Sequence, residues 1–270
     1  MKQRLLVAFV GLPLLLAVLL VCPAWATMLL VCAIAGIAAY ELLHTVGKNV
    51  GTLVYVVTIL VAVAHELLIF FAPQMLLTVL RFAFVVFLFL VAVVRYGKDT
   101  MPFSDLCAAV MGGIVFSTMY SAIFLLRADA EYGRVYVLAP FFIAFAGDTL
   151  SMFGGMLFGK RKMAPHVSPK KTWAGGIAGP VGSALAMLLL GLIGTAAFDY
   201  APNYAALVFV GWGANLFGQL GDLSMSFIKR EVGIKDYSHL FLTHGGMLDR
   251  FDSTLFIAPV VYFAVLGGPI

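Results

Sequence analysis

The sequence predicts an all-α fold: a single polytopic membrane domain over residues 1–270, with about nine transmembrane helices and a cytoplasmic N-terminus. Three observations carry this. First, 63% of the 270 residues are hydrophobic and 11% are charged, with a mean hydropathy of +1.04. A soluble domain averages about 45–50% apolar and about 25% charged residues, so an ordinary water-soluble globule and a disordered chain are both excluded. Second, apolar runs long enough for a roughly 30 Å hydrocarbon layer recur along the chain. Third, Lys and Arg gather on alternate connections between those runs.

Taken in order, the runs lie near 5–22, 25–43, 52–71, 75–94, 105–126, 135–153, 175–198, 204–228 and 251–268. Pro23, Pro73 and Pro202 mark three tight turns. The first run ends at Ala24-Trp25-Ala26, which resembles a peptidase site. It is long for the apolar region of a signal peptide, however, and reads as a retained span. Cys22, Cys32 and Cys107 sit in apolar runs without C-x-x-C spacing, so they imply neither a zinc site nor a disulfide framework.

Orientation follows from the cations. Lys2, Arg4, Lys48, Arg95, Lys98, Lys160, Arg161, Lys162, Lys170, Lys171, Lys229, Arg230, Lys235 and Arg250 share one side, which makes fourteen of the seventeen Lys and Arg residues. Arg127 and Arg134 lie opposite, and Arg81 falls inside the fourth span. The side with the excess is cytoplasmic by the positive-inside rule. It includes the two long polar connections, about 154–174 and 229–250.

A charge near the middle of a spanning helix costs about 2.5–3.5 kcal/mol on insertion scales, so each needs a partner or a polar cavity. The candidates are Glu41, Glu66, Arg81, Asp148, Asp222 and Asp249. Glu66 and Arg81 read as a structural ion pair across the hairpin of spans three and four, with His65 an interior histidine. Glu41, at the cytoplasmic end of span two, either snorkels or lines a site. In span eight, Asn215, Gln219, Asp222, Ser226 and Lys229 recur every three or four residues and so share one helical face. A helix–helix hydrogen-bond seam accounts for Asn215 and Gln219, but a carboxylate on the same face points to something wet.

The connection from Gly154 to Trp173 carries five cations and no acid. Such a segment suits phosphate groups, and its topology-signalling value is the plainer alternative. Gly154 to Lys160 nearly matches a P-loop, but Arg161 replaces the required Ser or Thr and a membrane helix precedes it, so that reading is set aside. Ser168-Pro169-Lys170-Lys171-Thr172 leads into a helix start at Gly175 and Gly176, which is an anion-favouring arrangement. The second connection ends His244-Gly245-Gly246-Met247-Leu248-Asp249-Arg250-Phe251-Asp252. Two carboxylates, several lysines and a glycine turn at one membrane face are the parts needed for Mg²⁺-dependent chemistry on phosphates. Helix capping is the plainer role for Asp252.

The stretch Ser226 to Asp252, SFIKREVGIKDYSHLFLTHGGMLDRFD, resembles the signature of the phosphatidate cytidylyltransferase family, the CDP-diacylglycerol synthases. The likeness extends to Gly221-Asp222, to SPKKTW at Ser168 to Trp173 and to Gly147-Asp148-Thr149, and with the nine-span layout covers essentially the whole chain. It implies an enzyme of phospholipid biosynthesis that converts CTP and phosphatidic acid into CDP-diacylglycerol and pyrophosphate. The resemblance assigns metal, Mg²⁺ as one ion or more, to Asp222 and Asp249. It assigns phosphate or nucleotide contacts to Ser168, Lys170, Lys171, Lys229 and Arg230, with Asp222, Asp249, Lys170, Lys171 and Arg230 carrying the catalysis. His244 stabilises the turn or contacts a phosphate. The implied partners are CTP, phosphatidic acid and the bilayer of the inner (cytoplasmic) membrane, with no nucleic acid. The small residues Gly175, Gly179 and Ser183 fit close helix contact, within one protomer or across a homodimer.

Two alternatives differ in class. A CTP-dependent lipid kinase would attack the γ-phosphorus instead of the α, and a polytopic transporter would place its site at mid-bilayer. No internal repeat is present and the charges cluster at one face, both of which count against the transporter.

Overall fold

The structure, a computed structural model, describes residues 11–240, 245–268 and 270. The described residues form nine helical segments and one hairpin. In chain order these are α1 (Gly11–Val21), α2 (Ala24–Val46), α3 (Thr52–Phe71), α4 (Gln74–Arg95), α5 (Phe103–Arg127) and α6 (Gly133–Phe158). They are followed by β1 (Lys162–Ala164), β2 (Ser168–Thr172), α7 (Trp173–Phe198), α8 (Tyr204–Glu231) and α9 (Met247–Leu266). Six of these, α2 to α7, are long and apolar enough to cross a membrane. α8 and α9 have comparable length, 28 and 20 residues, but Asn215, Gln219, Asp222, Asp249 and Asp252 make them more polar. The start of the first expected span lies outside the described residues.

Where the sequence reads one membrane domain, backbone contacts group the chain into two compact units, each discontinuous in sequence. The first is Met1–Ser121 with Glu231–Arg250, and the second is Ala122–Arg230 with Phe251–Ile270.

In the first unit, α2 packs along α3, and Leu43, Val54, Phe84, Leu88 and Ala109 belong to one buried cluster. α5 loosens into a π turn over Met111–Phe116. There Gly112 and Gly113 come so close to neighbours that an added Cβ would lie 3.2 Å from Ala39 Cα and 2.8 Å from Phe84 Cε1. The expected Glu66–Arg81 pair interacts electrostatically, and His65 makes the direct contact with Arg81. Arg81 donates to His65 Nε2 at 2.7 Å and to Thr118 Oγ1 at 3.2 Å, while His65 Nδ1 faces Glu66 Oε1 at 3.6 Å.

In the second unit, α6 and α7 pack along their length. Glycines set the separation of the helices. An added Cβ at Gly175 would lie 2.5 Å from the Ser151 carbonyl oxygen, at Gly182 2.8 Å from Leu150, at Gly211 2.7 Å from the Ser183 carbonyl oxygen, and at Gly218 2.6 Å from Ile257. Ser183 donates to the Ile143 carbonyl at 2.7 Å. The small-residue face of α7 is therefore consumed within the protomer, against α6 and α8. Gly154 and Gly155, expected in a loop, continue α6, with Gly154 pressed against Ala178 of α7. The polar connection departs from an all-α pattern: β1 and β2 pair antiparallel with Lys162 opposite Thr172 and Ala164 opposite Ser168.

This packing predicts opposite outcomes for two neighbouring glycines of α8. Gly211→Ala would collide with backbone, and overpacking of this kind costs about 1–3 kcal/mol. Gly213 has nothing within 4 Å of an added Cβ, so Gly213→Ala should keep or raise stability through helix propensity. Thermal unfolding in detergent should show a lowered Tm for the first variant only.

Candidate active site

The second unit builds a cavity of about 530 Å³, lined in part by charged side chains, where α6, the hairpin, the start of α7 and the middle of α8 meet. Its charged lining is Asp148 from α6, Lys162, Lys170 and Lys171 from the hairpin, and Asp222 from α8. Ligand pockets typically run from about 300 to 1,000 Å³, so the volume is ample for a phosphate chain.

Each wall has a local cause. The hairpin ends where Thr172 becomes the N-cap of α7, its hydroxyl accepting from Gly175 N at 3.2 Å. That cap leaves Gly175 and Gly176 at the positive end of a 26-residue helix, facing the cavity. β2 presents both lysines to it, Lys170 exposed and Lys171 half-buried. Lys171 Nζ lies 2.6 Å from Asp222 Oδ2 and 3.5 Å from the Gln219 carbonyl. The polar stripe of α8 divides by depth. Deeper in, Gln219 donates to the Gly176 carbonyl at 3.0 Å and to Asn215 Oδ1 at 2.8 Å, a helix–helix seam. Nearer the helix end, Ser226 donates to Asp222 Oδ1 at 3.3 Å. The carboxylate thus takes a hydroxyl on one oxygen and an ammonium on the other. Asp252 is within electrostatic range of Asp222, Asp148 and Lys229, which concentrates three carboxylates and a buried lysine in this unit.

In the first unit, the turn before α9 is built around Asp249. Its Oδ2 accepts from Tyr237 N at 2.8 Å and from Gly246 N at 2.9 Å. Gly245 has φ +80°, and an added Cβ there would sit 2.7 Å from the same oxygen, so glycine serves both the left-handed backbone and the close approach. Gly246 is pressed against the Glu41 carboxylate. Glu41 does not snorkel, and with Tyr40 and Ser238 it lines a mostly apolar cavity of about 540 Å³. Glu41 is 1% exposed and accepts from Ser238 Oγ at 2.5 Å, Met247 N at 2.9 Å and Leu248 N at 2.8 Å.

A model described as the cytidylyltransferase family matches residues 2–266. The chain belongs to that family. It is 32% identical over 274 residues to a phosphatidate cytidylyltransferase of Staphylococcus haemolyticus, an alignment covering 97% of each protein. It is also 35% identical over 164 residues to one of Rickettsia prowazekii, covering 60% of this chain and 72% of the relative. A Bacillus subtilis protein of the same name is 32% identical over 166 residues, covering 62% of this chain and 60% of the relative.

Set against this cytidylyltransferase fold, the residues singled out in the sequence separate. Lys170, Lys171 and Asp222 converge on one cavity. Ser168 stands at the start of β2, outside its lining, and Arg230 donates Nε to the Val167 carbonyl at 3.3 Å, bracing the hairpin turn. Lys229 is buried and near Asp252. Asp249 organises its own turn, and His244 lies outside the described residues. Sequence reasoning left Lys162 out of the site and gave Asp148 no role. Both line the cavity, and membership of the cationic connection and of Gly147-Asp148-Thr149 were the available signals.

Among the described residues, no three His, Cys, Asp or Glu side chains are gathered as a ready metal shell. Asp222 nonetheless suits a hard cation, since an ammonium already sits on it at 2.6 Å and the neighbouring donors are oxygens. A Mg²⁺ ion ordinarily takes one or two carboxylates and completes its shell with water and substrate phosphates.

Proposed function

We propose that this chain transfers the cytidylyl group of CTP to phosphatidic acid, giving CDP-diacylglycerol and pyrophosphate. The observation that carries the reading is the cavity in which Lys162, Lys170 and Lys171, the α7 N-terminus and Asp222 converge, in a chain whose relatives bear the name of that activity.

The chemistry follows from charge. A lipid phosphate oxygen attacks the α-phosphorus, the bond to the β-phosphate oxygen breaks, and pyrophosphate leaves with the electron pair. The phosphate monoester is already ionised at neutral pH, so no enzymic nucleophile and no strong general base is required. What the protein must do is hold several negative groups together and in line. Lys170 and Lys171 supply charge-assisted hydrogen bonds to triphosphate oxygens, and the free N–H groups at the start of α7 favour the same anions. Lys171 keeps Asp222 neutralised until an anion arrives. Asp222 would hold Mg²⁺ beside this cavity, and the family resemblance also assigns a metal-binding role to Asp249. When bound, the ion would neutralise phosphate charge as a Lewis acid. Arg230 acts at one remove, through the hairpin it braces. By the positive-inside rule this face would lie in the cytoplasm, where water-soluble CTP reaches a lipid whose tails stay in the bilayer of the inner membrane.

Two measurements check the reading. Purified protein given phosphatidic acid, Mg²⁺ and CTP labelled separately at the α- and γ-phosphates should place only the α label in lipid. γ label in lipid would mean a kinase. In the same assay Asp222→Asn should lose about a hundredfold of turnover or more, because an amide keeps shape and loses the charge that holds a cation.

The second concerns the lysines. A charge-assisted hydrogen bond is worth about 1.5–3 kcal/mol, so Lys170→Gln or Lys171→Gln should lower kcat/KM for CTP by about tenfold to a hundredfold. Measurement in mixed micelles at fixed phosphatidic acid holds surface charge constant. Unchanged CTP kinetics in both variants would reduce this segment to a topology signal.

A further inference from the structure

We infer that Glu41 is a positioning residue that holds the Gly245–Asp249 turn in place through the first amides of α9. The inference rests on the reading that Asp249 serves the reaction.

Glu41 lies in the last two turns of α2, 206 residues away in sequence from the amide of Met247 that it accepts. The first N–H groups of a helix have no partner inside it, and in an apolar surrounding each needs one. Glu41 answers two of them, with Oε1 on Met247 N and Oε2 on Leu248 N, and also takes the Ser238 hydroxyl. A carboxylate 1% exposed is costly to bury unless its lone pairs are filled by donors, and here both oxygens are. The helix dipole adds to the attraction. Gly246 is what lets the carboxylate approach, since a Cβ there would collide with it. Two residues beyond Met247, Asp249 turns back to accept from Gly246 N and Tyr237 N. The turn is therefore clamped by two carboxylates. Glu41 fixes the helix start, Asp249 fixes the loop onto that start, and the orientation of Asp249 depends on both.

Glutamine cannot replace Glu41. It keeps one acceptor oxygen and sets an N–H₂ donor against the Leu248 or Met247 amide, while aspartate keeps the charge but is one methylene too short to reach both. The experiment pairs amide hydrogen exchange of peptides covering 245–250 with steady-state kinetics, in Glu41→Gln, Glu41→Asp and Asp249→Asn. Glu41→Gln should speed exchange over 245–250 and lower kcat by about ten- to a hundredfold with little change in KM for CTP, the range seen when a supporting partner of a functional residue is lost. Glu41→Asp should recover part of both. Unchanged exchange and kcat in Glu41→Gln would overturn the inference, whatever Asp249→Asn does. Full activity in Asp249→Asn, with accelerated exchange in Glu41→Gln, would remove Asp249 from the site while keeping Glu41 as the clamp of its turn. If Glu41→Gln is too unstable to purify, Glu41→Asp alone decides: faster exchange at 245–250 supports the clamp and wild-type exchange overturns it.

Discussion

In a chain whose surroundings are mostly hydrocarbon, every charge must be met by an opposite charge, a backbone dipole or water, and the arrangement of this protein follows from how few charges it keeps and where they meet. Lys171 meets Asp222, Glu41 meets two helix amides, and Arg81 meets His65 and Thr118. In the second unit, polar contact between helices depends on close approach. Gly175, Gly179 and Gly211 remove the side chains that would hold α6, α7 and α8 apart, and only then can Gln219 reach the Gly176 carbonyl.

The same close packing explains why few uncharged polar side chains are left over at the cavity. Asn215, Gln219 and Ser183 are used up in the seam. The charged groups at the cavity are a carboxylate pair and three lysines, beside the start of α7, and on these the proposed function rests. Phosphoryl and nucleotidyl transfer needs little more from a protein than that, because its demand is electrostatic and geometric.

Much of this was legible in residue order. Apolar runs gave the helices, the i, i+3, i+4 spacing in α8 gave its polar face, and a connection with five cations and no acid gave the lysines that line the cavity. What the sequence could not reveal were pairings across long separations. That Lys171 bonds Asp222, or that Glu41 reaches Met247 and Leu248, depends on which helices become neighbours, and no local pattern encodes it. Glu66 and Arg81 do stand within electrostatic range of each other, as hairpin proximity predicts, but the direct contact of Arg81 with His65 is not readable in residue order. The hairpin of Lys162–Ala164 and Ser168–Thr172 escaped because lysine, serine and proline have weak strand preference, and its ends are set by the α7 cap and by Arg230.

For CTP to reach them, the lysine-bearing hairpin and its cavity must face cytoplasmic water. The direct measurement is thiol labelling of a single cysteine at the exposed hairpin tip, Pro165→Cys, with Cys22, Cys32 and Cys107 replaced. The account predicts no reaction with a membrane-impermeant maleimide added to intact cells and full reaction after permeabilisation. Labelling in sealed cells would put the hairpin on the outer face, away from CTP, and would contradict it.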